Sequence, residues 1–235
     1  KRILLMDQYV LVLNCGSSSI KFAIIEAKTG SAPLHGLAEN LGTASSRLVF
    51  SYQHKEHDVE LPVNTDHQQA LVVIAKTLKQ FKHLSQKIVA VGHRVVHGGE
   101  TFTHSSFIND QVKQAIQQTS LMAPLHNPAN LAGINSAQTS YPHLPHVAVF
   151  DTAFFQTMPK HAYLYALPYE LYQQHNIRRY GFHGSSHYFV AHQGANFLKK
   201  ELSACNLITA HLGNGCSIAA IKQGKAIDTS LVLLP

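Results

Sequence analysis

Four kinds of side chain in this sequence stand where they can act on an anion. They are a hydroxyl-rich turn, an arginine inside an apolar run, an aspartate at the end of another run, and histidines beside glycine or asparagine. The turn lies in the stretch 10–26, VLVLNCGSSSIKFAIIE. Between two apolar segments it offers Asn14, Gly16, Ser17, Ser18, Ser19 and Lys21. Glycine lets backbone approach closely, the hydroxyls and amides donate hydrogen bonds, and Lys21 brings positive charge. That composition suits a loop wrapped around phosphate groups. It also suits an ordinary solvated hairpin turn.

Arg94 sits in His-Arg-Val-Val-His-Gly-Gly. An arginine in an apolar strand is costly to bury without an anionic partner. It is either half of a structural ion pair or a guanidinium fork for carboxylate or phosphate oxygens. Asp151 follows Val-Ala-Val-Phe. A strand-end aspartate caps the next element, holds Mg²⁺ or orients a reacting group. His126, His183, His187 and His211 stand at loops or strand ends, as surface or core residues or as donors to phosphoryl oxygens.

Other chemistries fit less well. Ser19 is followed by Ile20-Lys21, so the turn is not a G-x-S-x-G nucleophile elbow, and no Walker pattern occurs. His183 and His187 are four apart, but a preceding loop spoils a shared helical face and no Glu lies between them, which argues against zinc.

The elements that must position these groups read as mixed strand and helix. The stretch 10–26 is strand, turn, strand. Residues 34–63 are β-rich, with strands at 48–52 and 58–63. Residues 66–82 are helical, with Ala70, Leu71, Ile74, Leu78 and Phe81 on one face. A buried strand runs over 88–97, and a helix over 109–121. Asn127-Pro128 starts another helix, Asn as cap and Pro in the first turn, reaching about Thr139. A strand at 146–150 precedes Asp151, and a helix covers 168–176. Ser185 or Ser186 caps a helix ending near Leu202. Strands at 206–211 and 217–221 flank Asn214-Gly215, a hairpin-turn signal, and Gly224 marks a second turn. The pattern is α/β, and such folds place ligands at strand ends. The two polar hairpins, around Gly16 and around Gly213–Gly215, echo each other as two related half-domains sharing a nucleotide would.

At 235 residues the chain can hold one large or two small domains. A net charge of +6 favours anionic partners. The absence of a Lys/Arg run or of a basic stripe interleaved with aromatics weighs against nucleic acid. No run approaches a membrane span, and the apolar start is too short for a signal peptide. Cys15, Cys205 and Cys216 have neither zinc nor redox spacing, which fits reduced thiols in the cytoplasm.

Taken together, six segments in order resemble the acetate kinase (acetokinase) family, of the sugar kinase, heat-shock protein 70 and actin superfamily. They are Asn14–Lys21, Gly92–Glu100, Met122–Pro128, Val149–Phe154, Arg179–His187 and Thr209–Gly215. The resemblance covers essentially the whole chain. It implies a ribonuclease H-like mixed sheet flanked by helices, with an N-terminal domain over 1–151 and the first part of a second domain over 152–235. It also implies reversible transfer of the γ-phosphoryl group of ATP to acetate with Mg²⁺, or Mn²⁺ in its place. A propionate or butyrate kinase, or a non-catalytic module, are the alternatives.

By the same resemblance, Arg94 binds the acetate carboxylate and the transferring phosphoryl group. Asp151 and Asn14 serve the metal, and His183 hydrogen-bonds phosphoryl oxygens. Asn14, Ser17, Ser19 and Lys21 line the phosphate end, and His211, Asn214 and Gly215 contact the nucleotide phosphates. Val96, Leu125, Phe182 and Pro235 form a methyl-sized apolar pocket. Homodimers are usual in the family. Its members continue for roughly another 160 residues, about one domain, so the second domain is expected to be incomplete here. The run Asp228-Thr-Ser-Leu-Val-Leu-Leu-Pro235 is also more apolar than the family pattern.

Overall fold

The computed structural model describes residues 7–213 and 215–231. Asn214 and Pro235, both expected site residues, lie outside the described residues. Strands β1 (Tyr9–Cys15), β2 (Ile20–Glu26), β3 (Leu34–Glu39), β4 (Arg47–Tyr52) and β5 (Lys55–Glu60) form an antiparallel meander. Helices α1 (His67–Gln80) and α2 (Lys82–Ser85) lead to β6 (Ile88–Val95), which pairs parallel with β1. Then come β7 (Ser106–Phe107), α3 (Asp110–Gln118), α4 (Asn127–Ser140) and β8 (His146–Phe150). The eight strands run in the order β5-β4-β3-β2-β1-β6-β8-β7. Beyond them lie α5 (Lys160–Tyr163), α6 (Tyr169–His175), α7 (Gly184–Phe197) and the strands β9 (Asn206–Leu212), β10 (Cys216–Lys222) and β11 (Lys225–Thr229), in the order β11-β10-β9.

The main core follows from period-2 alternation. Leu11, Leu13 and Cys15 of β1, with Ile20, Phe22 and Ile24 of β2, point inward. The α1 face of Ala70, Leu71, Ile74 and Leu78 covers them, and α1 packs on α4. Burying each large apolar side chain stabilises by about 1.5–3 kcal/mol. Asp66 caps α1 in a reciprocal box with Gln69, which fixes where the helix begins.

Several boundaries differ from the sequence reading. The strand expected at 58–63 lies at Lys55–Glu60, with Gln53 and His54 in left-handed turn conformations before it. The strand expected over 88–97 stops at Val95. Asn127 is not the cap of α4 but its first residue, buried, with its amide donating to the Ile116 carbonyl at 3.2 Å. Neither Ser185 nor Ser186 caps α7. His183 precedes the helix in a left-handed conformation (φ 59°), so Gly184 begins it and both serines lie inside the first turn. That helix ends at Phe197, and Lys199 turns left-handed just beyond.

The contacts divide the chain into two compact units. The first comprises Lys1–Val95, Phe107–Gln117 and Leu125–Ala148, and the second Val96–Ser106, Gln118–Pro124 and Val149–Pro235. The last crossing, after Ala148, lies close to Asp151.

Candidate active site

In the first unit the hairpin builds one group of polar side chains. Its register sets Asn14 opposite Lys21 and Cys15 opposite Ile20. The turn closes as Gly16 N–H donates to the Ser19 carbonyl at 2.8 Å. Two other turn carbonyls are also engaged. His67 Nε2 donates to Gly16 O at 2.6 Å, and Leu41 N–H to Ser18 O at 3.0 Å. The Ser17 and Lys21 side chains are left exposed, with Ser19 partly so. Asn130 Nδ2 donates to the Cys15 carbonyl at 2.6 Å and ties α4 to the end of β1. Because β6 runs parallel beside β1, Arg94 reaches Asn14, and its Nη1 donates to Asn14 Oδ1 at 3.2 Å. A guanidinium has five N–H donors in a planar fork, the geometry that grips carboxylate and phosphate oxygens.

The second unit gathers another group. Asp151 is 0% exposed, and Ser185 Oγ donates to its Oδ1 at 2.8 Å. The approach is close, since a Cβ on Gly184 would lie 2.0 Å from the Asp151 carbonyl oxygen. The His183 ring stacks on that of His211, centroids 4.0 Å apart. Ser186 Oγ and His211 Nδ1 share a hydrogen bond of 2.9 Å. Ser217 Oγ lies 2.9 Å from His183 Nδ1 and 2.8 Å from His187 Nε2. His187 Nδ1 lies 2.7 Å from Thr209 Oγ1. The sheet supplies this geometry. Ser217 pairs directly with His211 across β9 and β10, and Thr209 is two residues back on the same face. Burial lowers the His187 pKa to about 4, with His183 and His211 adding to the effect.

The loop carrying His183 is anchored. The Arg178 guanidinium lies over the Tyr163 ring at 3.8 Å and pairs with Glu100, while Arg179 pairs with Asp228 at 2.9 Å and donates to the Thr229 carbonyl. Val96 and Phe182 meet in one buried apolar cluster with Ala123 and Tyr180. Leu125, expected in the same pocket, belongs to the first unit and is 71% exposed. A Cβ on Gly215 would lie 3.3 Å from the His183 ring, so Gly215 borders that histidine.

Sequence reasoning missed Ser185, Ser186, Thr209 and Ser217 as partners of the chemistry-bearing groups. One trace of the last two was visible. Thr209, His211 and Ser217 are polar at positions where strand alternation points inward.

Among the described residues no group of three or more His, Cys, Asp or Glu can hold a metal ion. The buried Asp151 carboxylate is a hard oxygen donor of the kind Mg²⁺ takes, one or two at a time, with phosphate oxygens and water for the rest of its shell.

Solved structures place this fold in a definite class. Over 97% of this chain and 58% of the other, it matches the crystal structure of Porphyromonas gingivalis acetate kinase with a TM-score of 0.89 at 44% identity. Over 96% and 58%, it matches a propionate kinase from Francisella tularensis with a TM-score of 0.91 at 49% identity. The fold is thus the ribonuclease H-like α/β fold of the actin, heat-shock protein 70 and sugar kinase superfamily. A family model, described as the acetokinase family, matches residues 9–235. The chain belongs to the acetokinase family. It is 54% identical over 230 residues to the acetate kinase of Shewanella loihica, and spans 58% of that relative's length.

Proposed function

We propose that this chain carries phosphoryl-transfer machinery of an acetate kinase, which moves the γ-phosphoryl group of ATP to acetate and back, giving acetyl phosphate and ADP. An acetate oxygen forms a bond to the γ-phosphorus as the bond from that phosphorus to the ADP oxygen breaks. The observation that carries the reading is Arg94 held by Asn14 beside the hydroxyl turn, in a family whose curated relatives bear the name acetate kinase.

The residues suit the task. Acetate is already ionised, so no strong general base is required. The difficulty is to bring two anions together and to stabilise charge spread over an in-line transition state. Arg94 provides the fork for the carboxylate and the transferring group. Ser17, Ser19 and Lys21 donate to phosphate oxygens, and His183 donates to the phosphoryl group in flight. His211, Asn214 and Gly215 serve the nucleotide phosphates. Val96 and Phe182 contact the methyl group, a role that the family resemblance also assigns to Leu125 and Pro235. Asp151 is the carboxylate proposed for Mg²⁺, with Asn14 as a neutral amide oxygen donor. The ion, or Mn²⁺ in its place, neutralises phosphate charge when bound. The division into domains over 1–151 and 152–235, a cytoplasmic setting and homodimers belong to the same reading.

The test is hydroxamate formation from acetate, ATP, Mg²⁺ and hydroxylamine with the 235-residue chain, beside a full-length relative. No signal above background would leave an anion-binding, non-turnover module. The likeness to a propionate kinase favours a second comparison, with propionate and butyrate in the same assay. An apolar pocket separates substrates differing by one methylene only about 10- to 200-fold.

A further inference from the structure

The hydroxyl and imidazole groups of the second unit form one continuous line: Thr209 Oγ1, His187 Nδ1 and Nε2, Ser217 Oγ, His183 Nδ1, with links of 2.7, 2.8 and 2.9 Å. Each hydroxyl has one proton, and a neutral imidazole has one N–H and one bare nitrogen. The direction of the line therefore has to be the same at every link. We propose that Thr209, His187 and Ser217 are positioning residues that lock His183 in the tautomer with Nδ1 bare and Nε2 protonated.

The direction is set at the Thr209 end. Thr209 is 5% exposed, and its hydroxyl meets no hydrogen-bonding atom of the described residues other than His187 Nδ1. Were it to accept from His187, its own proton would be buried without an acceptor, a cost of the kind that folded proteins avoid. Thr209 O–H therefore donates to His187 Nδ1. His187 is 1% exposed, and its lowered pKa keeps it neutral, so its single N–H is on Nε2 and donates to Ser217 Oγ. Ser217, also 1% exposed, meets no other acceptor among the described residues and sends its proton to His183 Nδ1. The remaining His183 proton sits on Nε2.

The consequence deepens the phosphoryl-transfer reading, on which it rests only for its purpose. A neutral imidazole with Nε2–H donates to a phosphoryl oxygen without first taking up a proton, whereas the opposite tautomer would present a bare lone pair to an anion. Such outer partners fix an imidazole's tautomer by occupying its other nitrogen.

The experiment is two-bond ¹H–¹⁵N correlation NMR of the 235-residue chain with ¹⁵N-labelled histidine, at a pH where His183 is neutral. His183 should show a pyridine-type Nδ1 and a pyrrole-type Nε2, and so should His187. A protonated Nδ1 on neutral His183 would overturn the proposal. Thr209→Val should abolish the single-tautomer pattern at both rings, and Thr209→Ser, which restores the hydroxyl, should recover it. An unchanged pattern in a folded Thr209→Val chain would also overturn it. The wild-type spectrum decides even where Thr209→Val fails to fold. The readout needs no turnover, so a failed kinase assay would remove the phosphoryl-transfer reading and leave the relay standing.

Discussion

Ser185 Oγ donates to Asp151 Oδ1 at 2.8 Å, across a junction where helix α7 begins almost in contact with the backbone that follows β8. The carboxylate is fully buried, so this hydroxyl supplies part of what water would otherwise supply. The left-handed backbone at His183 makes the arrangement possible, because it starts the helix at Gly184 and turns Ser185 inward.

Removing that hydroxyl should therefore be felt. Ser185→Ala is expected to lower the stability of the chain by about 1–3 kcal/mol, since a buried acceptor loses a partner. Urea unfolding followed by circular dichroism measures it as a fall in midpoint at constant slope. An unchanged midpoint would mean that Asp151 does not depend on Ser185.

A steric prediction concerns the other unit. A Cβ on Gly133 of α4 would lie 2.3 Å from Cys15 Sγ and 3.0 Å from Cys15 Cβ. Gly133→Ala should destabilise by about 1–3 kcal/mol through overpacking, and should disturb the end of β1 next to Asn14. Adding Cys15→Ala removes the sulfur and should return part of the loss. A double-mutant cycle on thermal unfolding reads the coupling, and strict additivity of the two changes would contradict the contact.

The thiols should differ in reactivity. Burial pushes the Cys15 pKa up to about 12, so it is a packed, protonated core group beside the polar turn. Cys205 is buried as well, and Cys216 is exposed. Alkylation of the native chain followed by intact mass should add one label, at Cys216. Early labelling of Cys15 would show that the β1 end opens.

How far these features were readable from the residues depends on whether they are local. The hairpin, Arg94 and Asp151 stood out because composition and chain neighbours define them. So did the α1 face, whose period is visible within four turns. Ser185 and Ser186 were misread as caps because the deciding fact is the backbone at His183, a non-glycine residue in a left-handed conformation. His183 and His187 are close in sequence, yet what links them is Ser217, about thirty residues away and delivered by strand pairing. Nothing in a linear pattern carries that register. Whatever depends on it, including the tautomer of His183, becomes legible only from the fold.

Stability should fall on mild acidification, with a sign fixed by two buried histidines. His146 Nε2 donates to the Tyr141 carbonyl at 3.1 Å, so its Nδ1 is bare and accepts from His93 Nε2 at 2.9 Å. Burial, with His146 adding to it, lowers the His93 pKa to about 3, and burial beside Arg178 lowers that of His97 to about 4. In the unfolded chain both return to the ordinary value near 6.5. Below that value the unfolded state binds more protons than the native state, so stability rises with pH through this range. The contribution is fully present above about 6.5 and is lost as pH falls toward 3–4. Urea midpoints should drop between pH 7.5 and pH 5 (roughly the range where histidines dominate titration). His93→Gln, which can still donate to His146, should flatten the slope. A midpoint constant across that range would show that these rings are not held neutral.

The strongest functional test falls on Arg94. Its Nη1 donates to Asn14 Oδ1 at 3.2 Å, beside the hydroxyl turn proposed for phosphate. In a full-length active context, Arg94→Ala should lose at least about 2 kcal/mol of transition-state stabilisation, roughly 30-fold in kcat/KM. Arg94→Lys keeps the charge but loses the planar fork, so it should recover only part of the loss. Asn14→Ala leaves the charge and removes one contact of the guanidinium, and should weaken turnover less than Arg94→Ala does. Steady-state kinetics with acetate varied at saturating ATP separates these cases. An Arg94→Ala protein with unchanged kcat/KM would remove the arginine from the reaction and make its contact with Asn14 purely structural.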